Sequence, residues 1–238
     1  MTPTPQSQLT DVTRTVTEAG RGHVVSLSQT FEVHPEELWS ALTIGSHLEV
    51  WFGRASGEAV EGGRYELPDM ETGGTVLAAE EPHRLLLTWE FGKSSSEMEL
   101  LVEPVENEEV AQEEAEQEDS ADQADAPTEA SAAAPAARFT LRHTVPADAH
   151  WQTFGPAATG CGWDAALYAL ALHLEDPSAD LLPRLGDFAV SPEGAEFTRA
   201  TADAWFEAHV ASGADRKPAR KASVRTAAFY LGEEPGLS

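Results

Sequence analysis

The feature that most constrains the fold is a series of short segments with alternating apolar and polar residues, followed by one long apolar segment. Residues 22–33 alternate with period two, which places Val25 and Leu27 on one face of a strand. Similar segments, separated by Gly or Pro turn signals, continue to residue 145. Residues 155–174 instead repeat with helical spacing and carry a broad apolar face. The sequence therefore predicts an α+β fold with about six antiparallel strands before a long helix.

Residues 34–53, HPEELWSALTIGSHLEVWFG, predict two short helices directly after the strand at 22–33. Pro35 suits a first helical turn, Gly45 separates the two helices and Gly53 ends the second one. His34 and His47 lie 13 residues apart and therefore lack the i, i+4 spacing of a helical zinc motif. We interpret both histidines as corner or capping residues rather than as metal ligands.

Residues 104–137 carry 11 acidic residues, no basic residue and no aromatic residue. Such a segment buries too little apolar surface to offset the entropy that it would lose on ordering. The alternating pattern stops at this segment and resumes directly after it in RFTLRHTV. We predict a disordered acidic insertion in an enlarged hairpin loop between two adjacent strands, because the cost of loop closure rises only slowly with length.

Composition and charge narrow the classes of partner. The formal net charge is −26, and the chain stays acidic when the 11 charges of the insertion are removed. Basic surfaces supply most of the affinity for nucleic acid and for anionic lipid, so we expect no nucleic-acid partner and no membrane partner. A single cysteine, Cys161, excludes an internal disulfide and a multi-cysteine metal site. We predict a cytoplasmic protein without a metal or an organic cofactor.

Two segments flank the predicted domain, which spans residues 22–175. Residues 1–21 indicate a polar N-terminal leader that lacks the apolar core of a secretory signal. Residues 176–238 predict a loop around Pro183 and Gly186, followed by two helices. The second helix has a basic face in an otherwise acidic protein. The pattern does not indicate where this C-terminal helical extension packs.

Six segments resemble one known family, among them GGRYEL, which is similar to the strand after its hairpin, and FTLRHTVP, which is similar to its last strand. FEVHPEELWSALT and SHLEVWFG are similar to its first strand and its two short helices. VLAAEEPHRLLLTWEF is similar to a strand pair around Pro-x-x-Leu, and GWDAALYALALHLE to the closing helix. The family is the subgroup named for the activator of the Hsp90 ATPase, within the START-like superfamily of polyketide cyclases and Bet v 1-like proteins (SRPBCC). The resemblance implies a helix-grip fold, in which a curved antiparallel sheet wraps around the long C-terminal helix.

The resemblance also implies a cavity between the sheet and the long helix. We predict that a small hydrophobic ligand binds there, and the candidate lining residues are Trp51, Tyr65, Trp89, His143 and Trp163. Strand alternation places His143 on the inner face of the sheet, where it is either a core histidine with a satisfied hydrogen bond or a polar anchor for the ligand.

The sequence leaves other functions open. A cyclase- or dehydratase-type enzyme would use His143 and Tyr65 as acid–base groups, although the pattern supplies neither with a carboxylate partner. No residue is assigned as catalytic, and Cys161 lacks a neighbouring base, so we predict that it is a small buried residue. A third alternative is a protein-interaction module that uses the acidic insertion and the C-terminal helices. The resemblance alone implies a stress- or chaperone-related role.

Overall fold

A single eight-stranded antiparallel sheet organises the part of the chain that the structure describes. The computed structural model describes residues 2–20, 22–105 and 135–234. The strand order is β1-β2-β8-β7-β6-β5-β4-β3. The strands are β1 Thr13–Ala19, β2 Gly22–Phe31, β3 Ser56–Gly57, β4 Arg64–Leu67, β5 Thr72–Glu80, β6 Arg84–Phe91, β7 Ser94–Pro104 and β8 Ala137–Pro146.

Eight α-helices accompany the sheet within the same ranges. They are α1 Pro5–Asp11, α2 Pro35–Thr43, α3 Gly45–Trp51, α4 Ala149–Phe154, α5 Ala157–Glu175, α6 Leu181–Ala189, α7 Pro192–Ala211 and α8 Arg216–Leu231. The two short helices α2 and α3 follow β2 directly, and the long helix α5 follows the last strand. The predicted α+β helix-grip fold is thereby confirmed.

The long helix α5 is buried on two faces, which explains why residues 155–174 are apolar almost all round. Trp163 and Leu167 face the cavity beside the sheet. Asp164 and Tyr168 face the C-terminal helices, where they contact side chains of α6 and α7. An α-helix needs apolar residues on each face that packs against another element, and α5 packs against the sheet on one face and against helices on another. The C-terminal extension therefore packs against α5 on the side away from the cavity.

The N-terminal residues belong to the sheet, in contrast to the predicted polar leader. β1 pairs with β2 over its whole length, from Thr13 opposite Ser28 to Ala19 opposite Gly22. Val16 is the only apolar residue of this strand that is buried, so the alternation is too weak to predict it. Backbone hydrogen bonds to β2 hold this edge strand in place. The predicted domain boundary at residue 22 therefore falls within a β-hairpin.

The strands that flank the acidic segment are neighbours in the sheet. β7 and β8 pair from Pro104 opposite Ala137 along their common length. The segment therefore connects two adjacent antiparallel strands, as the hairpin-loop prediction requires. The predicted disorder concerns mainly residues 106–134, which lie outside the described residues.

The C-terminal extension contains one more helix than the sequence predicted. Residues 181–189 form α6, where we expected a loop, and Pro183 lies in the first turn, where the missing N–H leaves no helical hydrogen bond unmade. α7 approaches α5 closely at Gly160, because a Cβ atom there would overlap the indole ring of Trp205. The extension is thus packed into the domain and is not an appendage.

A buried ion pair joins the N-terminal strand, the long helix and the C-terminal extension. The guanidinium group of Arg14 on β1 donates to the Asp164 carboxylate on α5, with Nε–Oδ1 and Nη2–Oδ1 distances of 3.0 and 2.6 Å. Trp205 on α7 donates its indole N–H to Asp164 Oδ2 at 2.7 Å. The side chains of Arg14 and Asp164 are 5% and 0% exposed. The three groups satisfy one another in an environment where an unpaired charge would be very costly.

Candidate functional site

A cavity of about 110 Å³ lies between α3, α5 and the inner face of the sheet. β5, β6, β7 and β8 contribute aliphatic side chains to its floor, and α5 closes the opposite side. The aliphatic contributors from these elements include Val76, Leu85, Leu87, Leu100, Leu141 and Leu167. The aromatic ones are Trp51, Phe52, Tyr65, Trp89, Phe139 and Trp163. Strand alternation produces this surface, because every second residue of each strand faces the same side.

One side of the cavity is polar and reaches the solvent. Ser56, Gly57 and Glu58, here called the rim residues, line the cavity and are exposed. They lie on the short edge strand β3 and directly after it. The deeper residues are almost all apolar and buried or half-buried. The cavity is therefore an apolar recess that opens at the sheet edge opposite β1.

Three aromatic rings form a continuous surface on one side of the recess. Trp163 on α5 lies edge-to-face with Trp89 on β6, with a centroid distance of 5.2 Å, and stacks on Phe52 at 6.2 Å. Such aromatic pairs contribute about 1 kcal/mol each beyond the area that they bury. Trp51 on α3 is fixed separately, because its indole N–H donates to the Ala41 carbonyl at 3.1 Å. The aromatic side of the recess is thus preorganised.

Tyr65 lies on the cavity with its hydroxyl group already engaged. The phenol ring crosses β5 at Gly74, where a Cβ atom would come within 2.6 Å of the ring. The hydroxyl group donates to the Thr88 carbonyl at 2.6 Å. Burial raises the pKa of Tyr65 well above its ordinary value, and the nearby Glu90 carboxylate raises it further. Tyr65 therefore offers a ring face to the cavity and no proton at neutral pH.

His143 lies behind the aromatic residues and is not among the residues that line the cavity. The indole N–H of Trp163 donates to its Nδ1 atom at 3.2 Å, so Nδ1 carries no proton. The neutral ring then donates from Nε2 to Ser96 Oγ at 2.8 Å, and Ser96 donates to the Trp89 carbonyl at 3.3 Å. Burial lowers the pKa of His143 to about 4. The imidazole positions two cavity tryptophans and stays neutral.

Four of the five sequence-predicted lining residues thus lie on one cavity, namely Trp51, Tyr65, Trp89 and Trp163. His143 differs, because it does not line the cavity; its ring lies 6.0 Å from that of Trp163 and 6.1 Å from that of Trp89. Sequence reasoning did not identify the rim residues. The only signal for them was a polar, glycine-containing stretch after the second short helix, RASGEAVEGG, which we interpreted as part of a hairpin.

A second cavity, of about 310 Å³, has a mixed polar and apolar lining and lies near α1 and the C-terminal end of α5. Gln8 and Gln29 line it, and their side-chain amides exchange hydrogen bonds of 2.9 and 3.2 Å. This pairing explains why a glutamine interrupts the apolar face of β2. Because these two buried amides satisfy each other and less of the lining is apolar, this cavity is a weaker candidate for a ligand site than the apolar recess.

The described residues also limit the chemistry. Within residues 2–20, 22–105 and 135–234 no three His, Cys, Asp or Glu side chains are grouped closely enough to hold a metal ion. Cys161 is 5% exposed, and burial raises the pKa of its thiol to about 12, which agrees with the predicted buried role. Of the helices in these ranges, none has the length and hydropathy needed to cross a bilayer.

Comparisons with known proteins connect this geometry to a family. Residues 32–139 match the family model described as activator of Hsp90 ATPase homolog 1-like protein. No curated protein matches the chain significantly.

Solved structures show the same fold at low sequence identity. The solution structure of CalU16 from Micromonospora echinospora is 22% identical and covers 84% of this chain and 96% of its own, with a TM-score of 0.60. Its crystal structure gives 20% identity and a TM-score of 0.58, with 83% and 97% covered. EF2215 from Enterococcus faecalis, a conserved protein of unknown function, is 16% identical, with 87% and 95% covered and a TM-score of 0.54.

The extent of these matches bears on the extension. Residues 1–175 make up less than three quarters of the chain, so coverage of 83–87% must reach the C-terminal helices. The shared architecture therefore includes part of the helical extension beyond α5. Residues 32–139 thus match the family of activator of Hsp90 ATPase homolog 1-like proteins, and the chain shares the helix-grip fold of the START-like superfamily.

Proposed function

We propose that this START-like domain binds a small, largely apolar ligand in the recess between α3, α5 and the sheet. The observation that carries the proposal is the recess itself, which is lined by tryptophan and leucine side chains and opens at the rim residues. Ligand sites in proteins are typically concave, mostly apolar and equipped with few polar groups. An apolar cavity of about 150 Å³ can hold a benzene ring, so this recess of about 110 Å³, which is smaller but open at the rim, suits an apolar group of about one ring.

The enzyme alternative has less support from the geometry. Neither acid–base candidate presents a free proton-transfer atom to the recess, because the Tyr65 hydroxyl group and both His143 nitrogens are engaged within the protein. A general base must reach the proton that it abstracts, directly or through one water molecule. The geometry of the recess therefore supports ligand binding better than it supports acid–base catalysis.

The interaction alternative and the chaperone role stay predictions. The acidic insertion lies largely outside the described residues, and the C-terminal helices pack against α5 and β1. The family description names activation of an Hsp90 ATPase, but the site described above supports ligand binding without reference to that activity. The cytoplasmic location likewise stays a prediction.

The proposal can be tested by filling the recess. Ala166 lines the cavity, whereas its neighbour Ala165 is exposed on the same helix. We expect phenethyl alcohol to bind saturably, with a change in tryptophan fluorescence, and Ala166→Phe to weaken binding by at least about tenfold, because the new ring occupies the site. Ala165→Phe adds the same ring outside the recess and should retain the affinity.

Two results would contradict the proposal. One is the absence of saturable binding in the unmodified protein, and the other is an equal effect of both substitutions. Native mass spectrometry of the purified protein would complement the titration, because a co-purifying small molecule would identify the natural ligand directly.

A further inference from the structure

The recess has an asymmetric charge environment. Among the described residues that line it, Glu58 at the rim is the only one with a side chain that is charged at neutral pH, and none is Lys, Arg or His. We propose that the site selects apolar ligands with a neutral or positively charged head group and discriminates against carboxylates. This inference rests on the proposed ligand-binding function and specifies the chemical class that the site accepts.

The basic side chains nearest in sequence to the rim are already paired. Arg54 precedes the rim and donates from Nε to Asp69 Oδ1 at 3.0 Å, while its backbone N–H donates to Oδ2 at 2.9 Å. This pairing lowers the pKa of Asp69. Arg64 on β4 donates to both carboxylate oxygens of Glu90 at 2.9 Å. Both guanidinium groups are thus paired with carboxylates, and neither arginine lines the recess.

The strands and turn around the rim carry further acidic groups. Glu66 lies opposite Ser56 in the pairing of β3 with β4, and Glu61 follows the rim in the connecting turn. Both side chains are exposed. A ligand head group at the rim would thus experience a negative local field, and the net charge of −26 adds to it.

Two physical effects favour an ammonium head group over a carboxylate. A carboxylate head group at the rim is repelled by the Glu58 carboxylate, and one that enters the apolar recess loses hydration and finds no cation among the described lining residues. An ammonium group instead pairs with Glu58 at the rim and can lie over a tryptophan face of the recess. Because Glu58 is exposed, the gain from the ion pair is modest, about two- to fivefold in affinity.

The test uses three probes that share one aromatic ring and differ in charge. Phenethyl alcohol, protonated phenethylamine and phenylacetate are titrated at pH 7.5 into the full chain, with tryptophan fluorescence as the readout. We expect the amine to bind at least about twofold more tightly than the alcohol, and phenylacetate to bind at least about tenfold more weakly. Glu58→Gln should reduce the ratio of amine to alcohol affinity towards one, whereas Glu61→Gln, which removes the same charge outside the lining, should retain it.

The possible outcomes distinguish a failure of charge selectivity from a failure of ligand binding. Failure of phenethyl alcohol to bind would refute ligand binding as a whole. If the alcohol binds and phenylacetate binds equally well or better, the charge selectivity is refuted while ligand binding stands. If Glu58→Gln and Glu61→Gln lower the ratio by the same factor, the preference arises from the overall field, and the role assigned to Glu58 is wrong.

Discussion

Removal of Arg14 should destabilise the domain far more than removal of an exposed arginine. In Arg14→Leu, the Asp164 carboxylate keeps only the Trp205 N–H as a partner, at 2.7 Å, and its side chain is 0% exposed. The carboxylate of Asp164 is then a buried charge without a cationic partner and without contact to water. Removal of one partner of a buried ion pair typically lowers the free energy of unfolding by about 3–5 kcal/mol. Arg14 also donates to the Leu9 and Val12 carbonyls at 3.2 and 2.9 Å, so the end of α1 loses two hydrogen bonds as well.

A double-substitution cycle isolates the pair itself. Arg14→Leu combined with Asp164→Leu removes both charges, so we expect the double variant to recover about 2 kcal/mol relative to the sum of the two single changes. The Trp205 N–H then lacks its acceptor, which prevents full recovery. Burial raises the pKa of Asp164, and the Arg14 guanidinium and the Trp205 N–H oppose that shift by stabilising the carboxylate.

Urea denaturation followed by tryptophan fluorescence measures these free energies of unfolding by linear extrapolation. Arg64→Leu is the matched control, because Arg64 also pairs with a carboxylate, that of Glu90, but the two side chains are 56% and 37% exposed. Exposed pairs contribute about 0–1 kcal/mol, so the control should lose little stability. A loss below about 1 kcal/mol for Arg14→Leu, or a coupling energy near zero, would refute the idea that this ion pair ties β1 and α7 to α5.

Two further predictions concern buried positions of the same domain. In the folded state His143 has a pKa of about 4, compared with an ordinary value of 6.5. Between these pH values the unfolded state therefore binds a proton on this histidine that the folded state does not. The free energy of unfolding should consequently fall by up to about 3 kcal/mol as the pH drops from 6.5 to 4. His143→Gln should reduce that slope in urea titrations at several pH values, whereas a change at the exposed His34 should retain it, and equal slopes would contradict the assignment. Gly160→Ala should cost about 1–3 kcal/mol by overpacking, because its Cβ atom would overlap a buried indole ring. Gly186→Ala meets nothing within 4 Å in the middle of α6 and should instead stabilise the protein by up to about 1 kcal/mol, so thermal unfolding shifts of the same sign would contradict the packing argument.

The sequence predicted those elements whose side chains are buried on one face. Met98, Leu100 and Val102 on β7 are buried, as their alternation with polar residues indicated. The same reasoning missed β1, because the position of an edge strand depends on backbone pairing more than on burial. It also missed α6, where Pro183 and Gly186 indicated a loop although both residues are tolerated within this helix.

The candidate site was predictable in its type but not in its details. Alternation placed His143 on the inner face, yet only the three-dimensional structure shows that its ring lies beside those of Trp89 and Trp163 and does not line the cavity. The partner of Asp164 lies 150 residues away, a separation at which sequence patterns carry no pairing information. One signal was present, however. Asp164 is the single aspartate in the apolar segment GWDAALYALALHL. A buried carboxylate needs a hydrogen-bond or ion-pair partner, so the sequence predicts such a partner even though it does not identify it.

The position of this network bears on how the recess can admit a ligand. The Arg14–Asp164–Trp205 contacts fix α5 on the side away from the cavity, and strand pairing fixes the sheet, so neither can move without the loss of buried interactions. The remaining side is α3, a helix of seven residues without a side-chain cap at its N-terminus. Its His47 contacts His173 of α5, whose buried Nδ1 atom has no hydrogen-bond partner within the described residues. Since regions with fewer satisfied buried contacts open at lower free energy, we expect the opening at the rim residues to widen on the α3 side. The head group of the proposed ligand would then lie next to Glu58.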